Sequence, residues 1–285
     1  MKFHQTFGLA LMIGLSFIFV SPVAAEPIRV ATLIPSMNPG FETDPERYEI
    51  VATVRQSMHA PPLVGQLDLG SPHAPSIETL AAAQPDLVVG DASMHARLAT
   101  QLKPLGLNLV LVDTRTSDSL LAGLEKIAQE PPRSDRLVEA SRKAQSDLNN
   151  LKLAEPVSVV AFFGVPGSFY LVSERWWLGD MMQGLGFQNL VPDIPNERFP
   201  GLVPVNDERL ALLQPEIVFL ITHGDPAAVT GEFQRMAAQD GAWGGVGAPK
   251  LGVHVLNPDL FMATPALNAP EAAQELIQLS SGEEP

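Results

Sequence analysis

The chemistry this sequence can offer rests on imidazole, because it has no cysteine and therefore no thiolate ligand or nucleophile. Six histidines are present, at positions 4, 59, 73, 95, 223 and 254. A neutral imidazole is the commonest protein-derived metal ligand. His223 stands in "EIVFLITHGDP", where Ile217, Val218, Phe219, Leu220 and Ile221 form an apolar run without polar alternation. Such a run predicts a strand buried on both faces, and ligands of open α/β sheets bind outside the carboxyl ends of their strands. His95, in "DASMHARL", lies just beyond the apolar run of "PDLVVGD". His73, in "PHAPSIE", precedes a predicted helix. Position alone equally fits loop histidines held by one hydrogen bond, and His59 and His254 read as ordinary surface or core residues. A bare divalent ion needs three or four converging His, Asp or Glu ligands, and His73, His95 and His223 are the set that could supply them.

Other chemistries lack their parts. There is no Gly-x-Ser-x-Gly elbow and no His-Glu-x-x-His. The glycine-rich "GVPGS" and "GGVG" do not follow a strand and open a helix, as a phosphate-cradling loop must. The chain is expected not to be an enzyme. Its 18 basic residues against 32 acidic ones give a net charge of −14, a poor footprint for nucleic acid or an anionic membrane.

The elements that must position these residues alternate. Residues 1–25 read as a secretory signal. Lys2 begins it, residues 7–20 form its apolar core, and Val23 and Ala25 fit the cleavage positions. That run is short for a membrane span and none follows, so the mature chain is expected to be exported, periplasmic and not membrane-spanning. "IRVATLIP", "RYEIVATV", "PDLVVGD" and "LNLVLVDT" then predict strands, with helices near Ser76 and over 95–102. Residues 117–153 are helical in period with a break at Pro131-Pro132. Beyond Val157, "VSVVAFFG", "FYLVSE", "EIVFLITHG" and "LGVHVLNP" predict strands. "RWWLGDMMQGLG", "PAAVTGEFQRMAAQ" and "APEAAQELIQLS" predict helices, and a further helix starts near Asp207.

The halves repeat each other. "PSIETLAAAQPDLVVGD" (75–91) and "VNDERLALLQPEIVFLI" (205–221) align without a gap, matching Glu78 to Glu208, Leu80 to Leu210, Gln84-Pro85 to Gln214-Pro215 and Asp86 to Glu216. The pattern predicts an α/β fold of two Rossmann-like lobes, 26–116 and 154–285, each a mainly parallel sheet flanked by helices. A long helical connector over 117–153 joins them, and the ligand cleft lies between the lobes.

With these features the chain resembles the substrate-binding proteins of metal-chelate importers. The resemblance spans nearly all of residues 26–285, and "ETLAAAQPDLVVG" carries it in every branch. "GVPGSFYLVSE", "LGDMMQGLG", "THGDPAAV" and "DLFMATPALNAPEA" look like the IsdE-type heme receptors. This likeness implies capture of heme and delivery to the permease and ATPase of an ABC importer, by a monomer. His223 matches that branch's axial histidine. His73 stands where the branch has a methionine ligand. Histidine is also a competent axial ligand, so this departure leads to the expectation of a ferric, bis-histidine heme, and His95, just beyond a strand end, is the alternative partner. Phe169, Tyr170 and Met262 match cleft-lining positions, while Met181, Met182 and Phe261 are further apolar candidates. Glu78 and Glu208 match the glutamates that dock arginines of the permease. Free amides at helix N-termini beside the cleft would take the propionates. Cobalamin, a ferric siderophore or a bare metal ion remain alternative cargoes. The likeness departs between "VATLIP" and "RYEIVATV", where Pro39 and Pro45 leave little room for the family's helix.

Overall fold

The structure is a computed structural model that describes residues 26–55, 64–131, 133–196, 199–238 and 241–282. The expected signal segment with its cleavage after Ala25, together with His4 and His59, lies outside them.

The first lobe is a five-stranded parallel sheet in the order Leu67–Asp68, Tyr48–Thr53, Ile28–Thr32, Leu87–Asp91, Leu109–Val112. Its central strands carry apolar residues on both faces because both are covered. Val30 and Val89 point into one core with Leu120, Leu121 and Leu124, whereas Ala31 and Val88 point into the other with Leu80 and Leu102. Where a full helix is wanting, the short helices Pro35–Met37 and Asn38–Glu42 follow the first strand. Asn38 reaches back to Thr32 and Thr53 at the strands' carboxyl ends.

A six-stranded sheet forms the second lobe. Leu202–Pro204 and Ser168–Val172 pair antiparallel at one edge, then Ser158–Val165, Ile217–Thr222 and Val253–Val255 run parallel, with Gln188–Asn189 beside the start of Ser158–Val165. The edge strand Leu202–Pro204 was not expected, since three residues beside a Pro-rich stretch carry no readable period. Val159 and Ala161 face one core with Phe219, and Val160 and Phe162 face the other with Val218.

The repeat seen in the sequence is built into the backbone. Ser76 and Asn206 cap the helices Ile77–Ala83 and Asp207–Leu210, their side chains accepting the amides of Thr79 and Arg209. Gln84 closes the first helix in the left-handed region (φ 47°) ahead of Pro85. Asp86 then accepts the Arg29 amide with its carboxylate at 2.9 Å, and Glu216 accepts the Ser158 amide likewise at 3.0 Å. Each lobe thus ties the start of its central strand to the start of the neighbouring one by the same device.

The connector is two helices and not one. Ser117–Gln129 is capped by Thr116 and Asp135–Asn150 by Ser134, with the break before Pro131. Leu137, Val138 and Ala144 lie in the first lobe's core, while Leu148, Leu151 and Leu153 pack against the second's. The chain crosses back once more. Beyond the helix Pro258–Phe261, Ala266 and Leu267 enter the first lobe's core, and then Ala269–Ser280 returns to the second. Among the described residues no helix is long and apolar enough to cross a membrane.

Candidate functional site

His223 follows Thr222 directly and prolongs the ladder, its amide donating to the Gly164 carbonyl at 2.8 Å. The three residues after it explain the abrupt end of the strand. Gly224 takes φ 100°, a conformation costly for any side chain. Asp225 caps the helix Pro226–Ala237 by accepting the amides of Ala227 and Ala228, and Pro226 fits the first turn. Those amides are therefore occupied and not free for propionates. The half-buried His223 ring lies between Phe163, with centroids 5.7 Å apart, and Met262, whose Sδ is 3.3 Å from Nδ1. Burial lowers its pKa, and the charge of His73 lowers it further. His73, on the first lobe, is thus near enough for its charge to be felt at His223 on the second.

His73 is exposed at the tip of a tight hairpin between Gly70–Ser71 and Ala74–Pro75, which ends at the Ser76 cap. Its base is tied to the strand Tyr48–Thr53, through Leu69 N–H to the Thr53 carbonyl and Arg55 N–H to the Gly70 carbonyl. The tip is tied to the loop after Leu87–Asp91, where Arg97 donates to the His73 carbonyl at 3.1 Å and His95 holds the Pro72 carbonyl at 2.8 Å.

His95 departs from the expectation that it could replace His73. It is 2% exposed. Its Nδ1 accepts the Asp91 amide at 2.8 Å, so Nε2 carries the proton and donates it to Pro72. Burial depresses its pKa and keeps it neutral, and neither ring nitrogen is left for a metal. Sequence spacing gave no sign of this, since the Pro72 carbonyl is 23 residues away. Gly90 makes the room, for a Cβ there would meet the His95 Cβ at 3.0 Å.

Phe169 is likewise corrected. It is turned into the second lobe's core, edge-on to Phe233 and Trp243. The hairpin register pairs Phe163 with Tyr170, so these two share the opposite face. Both are half-buried; Tyr170 packs on Phe199, and Phe163 on Trp176 at 5.2 Å. Phe163 and Trp176, with His223, form a row of rings. The sequence leads to the expectation of Trp176 or Trp177 facing the cleft, whereas it does not single out Phe163, which period 2 from a known register would have found. Trp177, Met181, Met182 and Phe261 are buried in the core, and His254 bonds the Leu251 carbonyl. Glu78 and Glu208 are exposed in the first turns of their helices.

Among the described residues no group of three or more His, Asp or Glu is arranged to hold a bare ion. A cavity of about 630 Å³ lies elsewhere, between the edge strand Leu109–Val112 and the helix Ser117–Gln129.

Two α/β lobes joined by a helical connector, with His223 at a strand's carboxyl end, fit the class of two-lobed solute-binding proteins. Residues 52–252 match the family described as Periplasmic binding protein (Peripla_BP_2), and the chain belongs to it. This is a family of substrate-binding transport proteins of the metal-chelate type. Over 221 residues, 74% of this chain and 73% of the relative, it is 24% identical to the high-affinity heme uptake system protein IsdE of Staphylococcus aureus strain bovine RF122 / ET3-1. The structure of S. aureus IsdE complexed with heme superposes with a TM-score of 0.73 at 19% identity, covering 88% of this chain and 98% of that one. The periplasmic heme-binding protein BhuT, in complex with two hemes, gives 0.72 at 21% identity, covering 90% and 99%. S. aureus SirA complexed with staphyloferrin B gives 0.66 at 16% identity, covering 91% and 94%.

Proposed function

We propose that this chain is an exported, periplasmic, monomeric receptor that captures heme between its lobes and presents it to an ABC importer. His223 and His73 are the axial ligands of a ferric iron, and Glu78 and Glu208 meet the permease. The observation that carries this reading is the half-buried His223 at a strand end, set against the rings of Phe163 and Trp176, with an exposed His73 at a hairpin tip of the other lobe. The Met262 contact on Nδ1 leaves the His223 Nε2 as the free donor. Beside it, the half-buried Phe163 and Trp176 supply the apolar surface that a porphyrin plane needs. The relatives that bind heme by their names support the same cargo.

A ferric siderophore, the cargo type of SirA, is the second reading, drawn from that neighbour alone. Such an anionic chelate asks for basic and hydroxyl donors around the iron, whereas the groups touching His223 are a phenyl ring and a thioether.

Titration with hemin decides the matter. The wild type should develop a saturable Soret band of low-spin, six-coordinate form. His223→Ala should lose the saturable band, and His73→Ala should keep a band but turn high-spin and five-coordinate. A wild type without a saturable band refutes the heme reading, and an unaltered His223→Ala spectrum refutes the ligand assignment.

A further inference from the structure

The hairpin that carries His73 is not free to choose its height above the sheet. Its two tip carbonyls, Pro72 and His73, are held by His95 and Arg97 at 2.8 and 3.1 Å. The His95 ring is itself fixed from behind, because the Asp91 amide donates to its Nδ1 at 2.8 Å and Gly90 lets the ring lie flat on the strand end. Asp91 is 6% exposed and has every carboxylate contact inside the protein. Oδ1 accepts the Ser93 amide and hydroxyl and the Met94 amide, forming the turn that presents His95. Oδ2 accepts the Thr114 hydroxyl. The Thr114 carbonyl in turn accepts the hydroxyl of Thr264 at 2.6 Å, and Thr264 belongs to the crossing segment that also carries Met262, the neighbour of His223. The bonds run without a gap from the tip of one lobe to the segment that backs the histidine of the other.

We infer that His95 is a positioning residue, which with Asp91 latches the Pro72-His73 tip and so sets the reach of His73 toward His223. This rests on the heme reading only in calling His73 a ligand; the latch itself is a property of the ligand-free fold. His95 acts through His73 and does not touch the cargo. A glutamine can imitate it, with its carbonyl accepting the Asp91 amide and its NH₂ donating to Pro72. Alanine can do neither.

The test compares His95→Ala with His95→Gln in two measurements on the purified chain. Hydrogen exchange followed by mass spectrometry on the ligand-free protein should show faster exchange over residues 69–76 in His95→Ala and wild-type exchange in His95→Gln. In hemin titration, His95→Ala should turn high-spin, as His73→Ala does, and bind about 10- to 100-fold more weakly, the usual loss when a group orienting a metal ligand is removed. His95→Gln should stay low-spin, and the double variant His73→Ala/His95→Ala should bind no more weakly than His73→Ala alone. Unchanged exchange in His95→Ala overturns the latch. A glutamine variant as defective as alanine in the spectrum overturns the indirect role and makes His95 itself a ligand. Failure of the wild type to bind hemin refutes the cargo, and the exchange comparison still decides the latch.

Discussion

At the scale of single residues, the two histidines proposed as ligands are held unequally. His223 sits on a strand end whose backbone is fixed by Gly164, Gly224 and the Asp225 cap, and its ring is half-buried. Its back contact is a thioether, a weak acceptor, so the imidazole gains little basicity from behind; most iron-binding histidines have a carbonyl or carboxylate there. Met262→Leu keeps the volume and loses only that weak contact. It should lower hemin affinity less than tenfold in the titration, far less than His223→Ala; a loss as large as that variant's would mean that the sulfur itself binds the iron. The sequence made His223 legible because five apolar residues in a row leave only one place for a strand to end. It made His95 and Phe169 illegible for different reasons. His95 is decided by a carbonyl in a distant hairpin, and Phe169 by a one-residue choice of register that swaps the two faces of the strand.

Among elements, the helix Trp177–Leu185 carries a charge that feels the connector. Its Asp180 is half-buried, and its carboxyl is raised above the usual 3.8, first by burial and then by Asp118 at the start of the connector helix Ser117–Gln129. Between pH 3.8 and the raised value the folded chain holds a proton that the unfolded chain has released. This contribution to stability is therefore present below 3.8 and is lost as pH rises through the folded pKa. Above its raised pKa the ionised Asp180 is a net cost. Asp180→Asn should raise Tm at pH 7 by about 2 °C, a shift that a sub-kcal/mol gain produces in a chain of this size, and by less at pH 4.5. Equal gains at both pH values would assign the effect to something other than ionisation. The helices themselves were legible from period and caps, and so was the break at the prolines. What lay beyond the sequence was their partnership, since nothing in "SDSLLAGLEK" tells which helix of the other half will stand against Asp118.

For the whole molecule, the decisive feature is that the chain passes between lobes more than once. Asp135–Asn150 begins in one core and ends in the other, and the segment after Met262 returns Ala266 and Leu267 to the first core before the last helix goes back. A two-lobed protein joined by one flexible strand of chain opens by hinge motion; one stitched by two buried crossings resists it. The Thr264 hydroxyl on the Thr114 carbonyl is the polar stitch in the second crossing, and Thr264 is 7% exposed. Thr264→Val keeps the shape, removes the donor and leaves that carbonyl short of a partner, at a cost of about 1–3 kcal/mol. Tm should fall by roughly 3–8 °C on that scale. The more telling readout is release: hemin should leave Thr264→Val several-fold faster in transfer to an excess of apomyoglobin, because the span from His73 to His223 is no longer held. If Tm falls while the release rate stays at the wild-type value, the crossing stabilises the fold without governing the cleft, and the two histidines keep their spacing through the Asp135–Asn150 helix alone.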